Sequence, residues 1–132
     1  MEHAHLHEIA PIPEKGMGLR AMADIPSNTT VMTCAAIEVS VPVDVIPFSV
    51  AQYLFVSPEQ FQKSNGSCHY RIVCGDMVFL NHSITPNCNV SWFRGQNNVL
   101  FATLVSSDKI KSGSELTIQY TDACNYQANG YL

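Results

Sequence analysis

Short apolar segments, separated by turn residues, recur along almost the whole chain and predict strands rather than helices. The stretch TVMTCAAIEVSV (residues 30–41) is rich in β-branched and small residues, as is typical of a buried strand. Prolines and glycines interrupt the apolar runs at short intervals. This pattern predicts a mainly β domain built from several small sheets.

Two segments look like hairpins, and a third is ambiguous. HYRIVCGDMVFL (residues 69–80) predicts a hairpin across Gly75-Asp76, and NVSWFRGQNNVLFATLV (residues 89–105) predicts another across Gly95 to Asn98. Phe48–Phe61 fits either one helix or two short turns, because Pro58 interrupts it.

Composition and charge narrow the classes of protein. A chain of 132 residues suits one domain, and 46% hydrophobic with 14% charged residues argues against disorder. The net charge is -4, and the seven Lys and Arg residues are scattered rather than clustered. We therefore expect no direct binding to nucleic acid, since that needs a basic face, whereas an acidic surface suits a cationic substrate.

The chain has no apolar stretch of the roughly 18 residues that a membrane span needs, and it does not begin like an export signal. We expect a soluble intracellular protein of the cytoplasm or nucleus. The five cysteines include no C-x-x-C pair, so we expect them to be reduced and mostly buried. Whether two chains form a homodimer is left open.

Gly16-Met17-Gly18 is the first candidate for chemistry. In a loop ahead of a predicted strand, two glycines one residue apart let the backbone approach a ligand closely and direct N–H groups at it. The alternative is a plain turn. The motif is no dinucleotide-binding fingerprint, because the third glycine and the following helix are missing.

The second candidate is NHSITPN (residues 81–87). A glycosylation sequon carries no weight without an export signal, and His82 with Cys88 lacks the paired spacing of structural zinc sites. A turn whose Asn and Ser side chains bond their own backbone is the plain alternative. Asn81 and His82 nevertheless follow directly on DMVFL, predicted as the end of a buried strand, where binding groups are often held.

The third candidate is Tyr120, at the end of the alternating stretch LTIQY. Its ring would be buried while its hydroxyl reaches the edge of a sheet. The alternative is a tyrosine that merely closes the core.

Taken together and in this order, KGMGLRA, NHSITPNC and SELTIQY resemble the SET-domain protein lysine methyltransferases. That family has a G-x-G loop, an N-H-S-x-x-P-N segment and an E-L-T-x-x-Y strand. The resemblance reaches most of Glu14 to Asp122, and the small size is most similar to minimal SET proteins of viral and bacterial type. It implies a single SET domain over residues 1–132, with a β-clip fold and a C-terminal pseudoknot that crosses the N-H-S segment.

The resemblance also implies a cofactor, S-adenosylmethionine, and a set of residues that hold it. Gly16 and Gly18, with Met17 between them, would lie beside its methionine part. Asn81 would bond its amino-acid end, and the His82 backbone would meet the adenine. Ser83, Pro86 and Asn87 would shape the knot-like crossing.

Further roles follow from the same resemblance. Tyr120 would contact the cofactor and hold the amine and the methyl group in line, and Tyr53 is a second candidate for catalysis and for the substrate channel, with a core aromatic as its alternative. Val90 stands where many members have Tyr or Phe, which would widen the channel. Tyr126, in the tail of residues 123–132, would help close a lid over it, unless that tail is frayed.

No metal is expected. Ile84 stands where members with a post-SET zinc site have Cys, and three alternating histidines near the N-terminus, which we expect to face solvent, lack supporting groups: His3, His5 and His7. The expected activity is methylation of a lysine side chain in a protein, with histone-like tails as the leading substrate class. The alternatives are a small amine or other non-histone acceptor, and a binding protein that has lost turnover.

Overall fold

The computed structural model describes residues 5–42 and 67–119. Within them the chain forms eight strands in two four-stranded sheets, so the prediction of a mainly β fold with several small sheets is confirmed. The strands are β1 (His7–Ile12), β2 (Gly16–Ala21), β3 (Thr30–Pro42), β4 (Ser67–Cys74), β5 (Asn81–His82), β6 (Cys88–Arg94), β7 (Leu100–Ser106) and β8 (Glu115–Ile118). Two short 3₁₀ helices, Asp76–Phe79 and Gln96–Asn98, connect them.

The first sheet has the strand order β1-β2-β8-β5. Strands β1 and β2 form an antiparallel hairpin, and β8 is antiparallel to β2. Strand β5 runs parallel to β8, with Asn81 opposite Thr117 and His82 opposite Ile118. A parallel pair needs a long connection, and here that connection contains β6 and β7 of the other sheet. The second and third sequence motifs therefore lie side by side.

The second sheet has the order β4-β3-β7-β6 and is antiparallel throughout. Strands β6 and β7 are joined by the turn at Gly95 to Asn98, so this predicted hairpin is confirmed. Asn97 and Asn98 have φ values of 56° and 61°, a left-handed conformation that asparagine tolerates better than most residues.

The other predicted hairpin is wrong. Strand β4 ends at Cys74, and residues 76–79 form a 3₁₀ helix instead of a returning strand. Gly75 lies between them with a φ of 150°, and a Cβ there would lie 2.9 Å from Cys34 Sγ. The chain therefore turns closely against β3 and reaches Asn81 from a helical turn, not from the end of a buried strand.

The hydrophobic core contains residues of both sheets. Strand β7 shows the expected alternation: Leu100, Ala102, Leu104 and Ser106 are buried, while the residues between them are partly exposed. The first sheet contributes buried residues from β2 and β8, namely Leu19, Ala21, Leu116 and Ile118. Ile25 and Ile110, paired by an isolated bridge, are also part of this core.

Two sequence expectations about side-chain exposure are corrected. Of the cysteines whose side chains are described, Cys88 is buried, Cys34 is partly buried and Cys74 is exposed, so they are free but not mostly buried. His7 does not face solvent, because its side chain is 13% exposed and its Nε2 lies 2.9 Å from Asp76 Oδ2. The preceding His5 is exposed. Within residues 5–42 and 67–119, no helix has the length and apolarity to cross a membrane.

Candidate functional site

The three sequence motifs meet around Gly18 in β2. A Cβ added to Gly18 would lie 2.6 Å from Ile12 Cγ1, 2.7 Å from Asn81 Nδ2 and 3.0 Å from Glu115 Oε2. These separations are shorter than an ordinary carbon contact of about 3.5–4.0 Å. Only glycine leaves room here for the side chains of the other two motifs. The prediction that this motif forms a loop ahead of a strand is wrong, because Gly16, Met17 and Gly18 are the first three residues of β2 itself.

Asn81 is held between the first motif and the third. Its Nδ2 donates to Glu115 Oε2 at 2.7 Å and, over a longer distance of 3.4 Å, to the Met17 carbonyl. An ionised carboxylate only accepts hydrogen bonds, so the amide nitrogen and not the oxygen must face Glu115. The contacts therefore determine which way the carboxamide points.

Glu115 also pairs with a lysine that precedes the glycine motif. Lys15 Nζ donates to Glu115 Oε1 at 2.9 Å, so the two carboxylate oxygens have different partners. The Glu115 side chain is 17% exposed and that of Lys15 is 42% exposed. Because the lysine side chain is exposed, the ion pair itself contributes little to stability.

The loop after Asn81 is tied to β8 by Asn87. Its Nδ2 donates to the Glu115 carbonyl at 2.8 Å, and its Oδ1 accepts from the Thr117 N–H at 2.9 Å. Ser83 Oγ accepts from the Thr85 N–H at 3.0 Å, as expected of a local turn. The plain turn interpretation thus holds for Ser83, whereas Asn87 bonds the neighbouring strand and fixes the loop beside the site.

His82 lies next to this cluster and is half-buried. Burial lowers its pKa from the ordinary value of 6.5, and the positive charge of Lys15 lowers it further. The imidazole is therefore neutral at pH 7. In the part of the chain that the structure describes, no three His, Cys, Asp or Glu side chains are grouped so that they could hold a metal ion.

Comparison with protein-family models identifies the family of this chain. The family model for the SET domain matches residues 16–121, which is most of the chain. The chain belongs to the SET-domain family. Members of this family are generally protein lysine methyltransferases that use S-adenosylmethionine. No curated protein matches the chain at a significant level.

A solved structure supports the same fold. It is that of a Plasmodium falciparum protein assigned provisionally as a histone methyltransferase, and it superposes with a TM-score of 0.67. The match covers 92% of this chain and 97% of that chain, at 20% sequence identity. At this identity the likeness shows the SET fold alone.

The structure brings together most of the described residues that were predicted to bind the cofactor. Gly16, Met17 and Gly18 form the start of β2, and Asn81 bonds Met17 directly. His82 is the next residue of β5. Val90, predicted to line the channel, lies in β6 of the other sheet, where it is partly buried and packs against the hydrophobic core of the SET domain.

The predicted catalytic residues lie outside the described residues. These are Tyr120 and Tyr53, and the same holds for Tyr126, the tail of residues 123–132, and the segment Phe48–Phe61. The pseudoknot would involve the C-terminal segment beyond residue 119, so it stays a prediction.

Glu115 and Lys15 were not predicted as site residues. Both stand inside the motifs that carry the family resemblance, Lys15 before the glycines and Glu115 at the start of E-L-T. The signal in the sequence was that the first motif begins with a positively charged residue and the third contains a negatively charged one. Their pairing spans 100 positions of sequence, however, and only the folded SET domain brings the two together.

Proposed function

We propose that this SET domain is an S-adenosylmethionine-dependent protein-lysine N-methyltransferase. The observation that carries the proposal is the convergence of three distant motifs on one point. Asn81 Nδ2 lies 2.7 Å from Glu115 Oε2, and both side chains fill the space that a Cβ at Gly18 would need. Such a cluster of backbone and polar side chains suits the binding of a small polar ligand.

The residues present fit the amino-acid end of the cofactor. The glycines of β2 let a ligand approach the backbone closely, and Gly16 has open space around its Cα, with nothing within 4 Å of an added Cβ. Asn81 keeps an oxygen acceptor for an ammonium group, and the Glu115 carboxylate adds negative charge close by. When bound, S-adenosylmethionine supplies a methyl group on a cationic sulfonium.

The acceptor amine has to lose its proton before it can attack. With an ordinary lysine pKa near 10.4, deprotonation at pH 7 costs about 4.6 kcal/mol. An apolar channel lowers that cost by disfavouring the ammonium form. Tyr120, two positions beyond the end of β8, would orient the neutral amine through its hydroxyl. Alignment of two reactants can lower a barrier by about 7–11 kcal/mol.

Histone-like tails are the leading substrate class in this proposal. The chain carries a net charge of -4, which favours the approach of a basic peptide. The provisional name of the Plasmodium falciparum structure is in keeping with this class.

A second candidate function is methyl transfer to a small amine or another non-histone acceptor. It is favoured by Val90, a side chain smaller than the Tyr or Phe that many relatives carry at the corresponding position. A wider channel there would admit a bulkier amine or a higher methylation state.

Two measurements test these functions. Calorimetry with S-adenosylmethionine measures cofactor binding, and radiolabelled transfer to a histone mixture and to free lysine then measures the acceptor. We expect binding, and transfer to histones rather than to free lysine. Transfer to free lysine alone would favour the second candidate. No heat of binding would overturn both enzyme functions, and binding without transfer would favour a protein that has lost turnover.

The Tyr120→Phe variant tests the assigned catalytic residue. We expect transfer to collapse while cofactor affinity stays near that of the wild type, because only the orienting hydroxyl is lost. Tyr70→Phe is the matched control, since Tyr70 lies in β4 of the other sheet. Full activity in Tyr120→Phe would show that the assignment is wrong.

A further inference from the structure

Glu115 links the three sequence motifs through its carboxylate. Its two oxygens are divided between partners from the other two motifs: Oε1 accepts from Lys15 Nζ and Oε2 accepts from Asn81 Nδ2. We propose that Glu115 is a positioning residue, which holds the Asn81 carboxamide so that Oδ1, and not the N–H groups, faces the cofactor's α-ammonium group. This inference rests on the proposed function and adds a residue to it.

The chemistry of the pair makes the orientation one-sided. A carboxamide has a donor end and an acceptor end of nearly equal size, so packing alone discriminates poorly between its two orientations. An ionised carboxylate at 2.7 Å does discriminate, because it can only accept. With 17% of its side chain exposed, Glu115 is shielded enough for this charge-assisted bond to be strong.

The surroundings of the pair restrict the carboxamide further. The second N–H of Asn81 points toward the Met17 carbonyl, 3.4 Å from Nδ2. A Cβ at Gly18 would lie 2.7 Å from Nδ2, so the amide occupies space that only a glycine leaves open. Both donor contacts of the carboxamide are thus made within the domain, which leaves Asn81 Oδ1 to accept from a ligand. An ammonium group can donate to it, whereas a carboxylate would be repelled.

The proposed role of Glu115 should therefore affect only the binding of ligands that carry an α-ammonium group. S-adenosylhomocysteine carries the α-ammonium group, while 5′-methylthioadenosine has the same adenosine and thioether without the amino-acid part. If Glu115 acts through Asn81, its loss should weaken binding of the first ligand and leave that of the second unchanged. A general loss of structure would weaken both.

Calorimetry on the full chain with these two ligands provides the test. We expect Glu115→Ala to weaken S-adenosylhomocysteine binding about tenfold, the size expected for one hydrogen bond to a charged group. Glu115→Gln should recover part of that loss, because the glutamine carbonyl can still accept from Asn81. Glu8→Gln is the matched control: Glu8 is an ion-paired carboxylate of the same sheet, bonded to Arg20, and its loss should change neither affinity.

A double-mutant cycle shows whether the effect passes through Asn81. In an Asn81→Ala background, Glu115→Ala should cause no further loss of affinity. The same tenfold loss in that background would overturn the positioning role, as would equal losses for both ligands or wild-type affinity in Glu115→Ala. If a thermal melt shows that Glu115→Ala is not folded, the affinities of Glu115→Gln are compared with those of the wild type instead. Failure of the wild type to bind either ligand would instead refute the proposed function, and this inference with it.

Discussion

Substituting Gly18 with alanine is the most direct test of how the site is built. The new Cβ would lie 2.6 Å from Ile12 Cγ1 and 2.7 Å from Asn81 Nδ2. Ordinary contacts need about 3.5–4.0 Å, so each neighbour has to move by roughly 1 Å. A displacement of that size would take Asn81 Nδ2 from 2.7 Å beyond the hydrogen-bonding distance to Glu115 Oε2.

Two measurable losses should follow from this displacement. Overpacking of this kind costs about 1–3 kcal/mol of unfolding free energy, which urea denaturation followed by circular dichroism would measure. Loss of the Asn81 to Glu115 bond should lower affinity for S-adenosylmethionine about tenfold, as measured by calorimetry.

Gly113→Ala is the matched control. Gly113 has open space around its Cα but a φ of 89°, so alanine there should cost about 1–2 kcal/mol of stability through backbone strain alone. Its cofactor affinity should not change. A Gly18→Ala variant with wild-type stability and wild-type affinity would refute the packing argument, and one that behaves like Gly113→Ala would show that Gly18 has no direct part in the site.

Three further predictions concern single side chains. Ser106→Ala should cost about 1–3 kcal/mol in urea denaturation, because the buried Oγ bonds Pro26 O at 2.6 Å and Thr29 N at 2.9 Å, while the exposed Ser27→Ala should cost almost nothing. Burial raises the pKa of Cys88 to about 12, so in the native protein at pH 8 iodoacetamide should modify the exposed Cys74 and spare Cys88, as read by peptide mass spectrometry. The lowered pKa of His82 means that the unfolded chain binds this proton more readily, so stability should fall as the pH drops below 6.5. Urea titrations at pH 7.5 and 5.5 should show a smaller loss of unfolding free energy in His82→Gln than in the wild type. An equal loss in both proteins would show that His82 does not cause the pH dependence.

The local features of this fold could be predicted from the chain itself. The alternation in residues 100–106 and the β-branched run in residues 30–41 both became strands, since their pattern matches the two faces of a sheet. The turn at Gly95 to Asn98 was equally predictable, because asparagine tolerates the left-handed backbone it requires.

Other local expectations failed where packing against distant strands decided the outcome. The apolar run of residues 76–80 has the composition of a strand, yet it forms a 3₁₀ helix after Gly75 turns closely against Cys34. His7 alternates with other histidines as if exposed, but Asp76 of that same helical turn bonds it. In both cases the deciding neighbour lies far away in sequence.

The sequence by itself determined the kinds of strand and turn, and it carried the three motifs of a SET domain in their order. Only the tertiary structure decided which residues of those motifs contact one another. Strand β5 has two residues, too few to be recognised by pattern, and it is defined by its pairing with β8. That pairing brings Asn81 to Glu115 across 34 positions and to Met17 across 64. Hydrogen bonds act over about 3 Å, so such contacts are set by the folded geometry and leave no periodic signal along the chain.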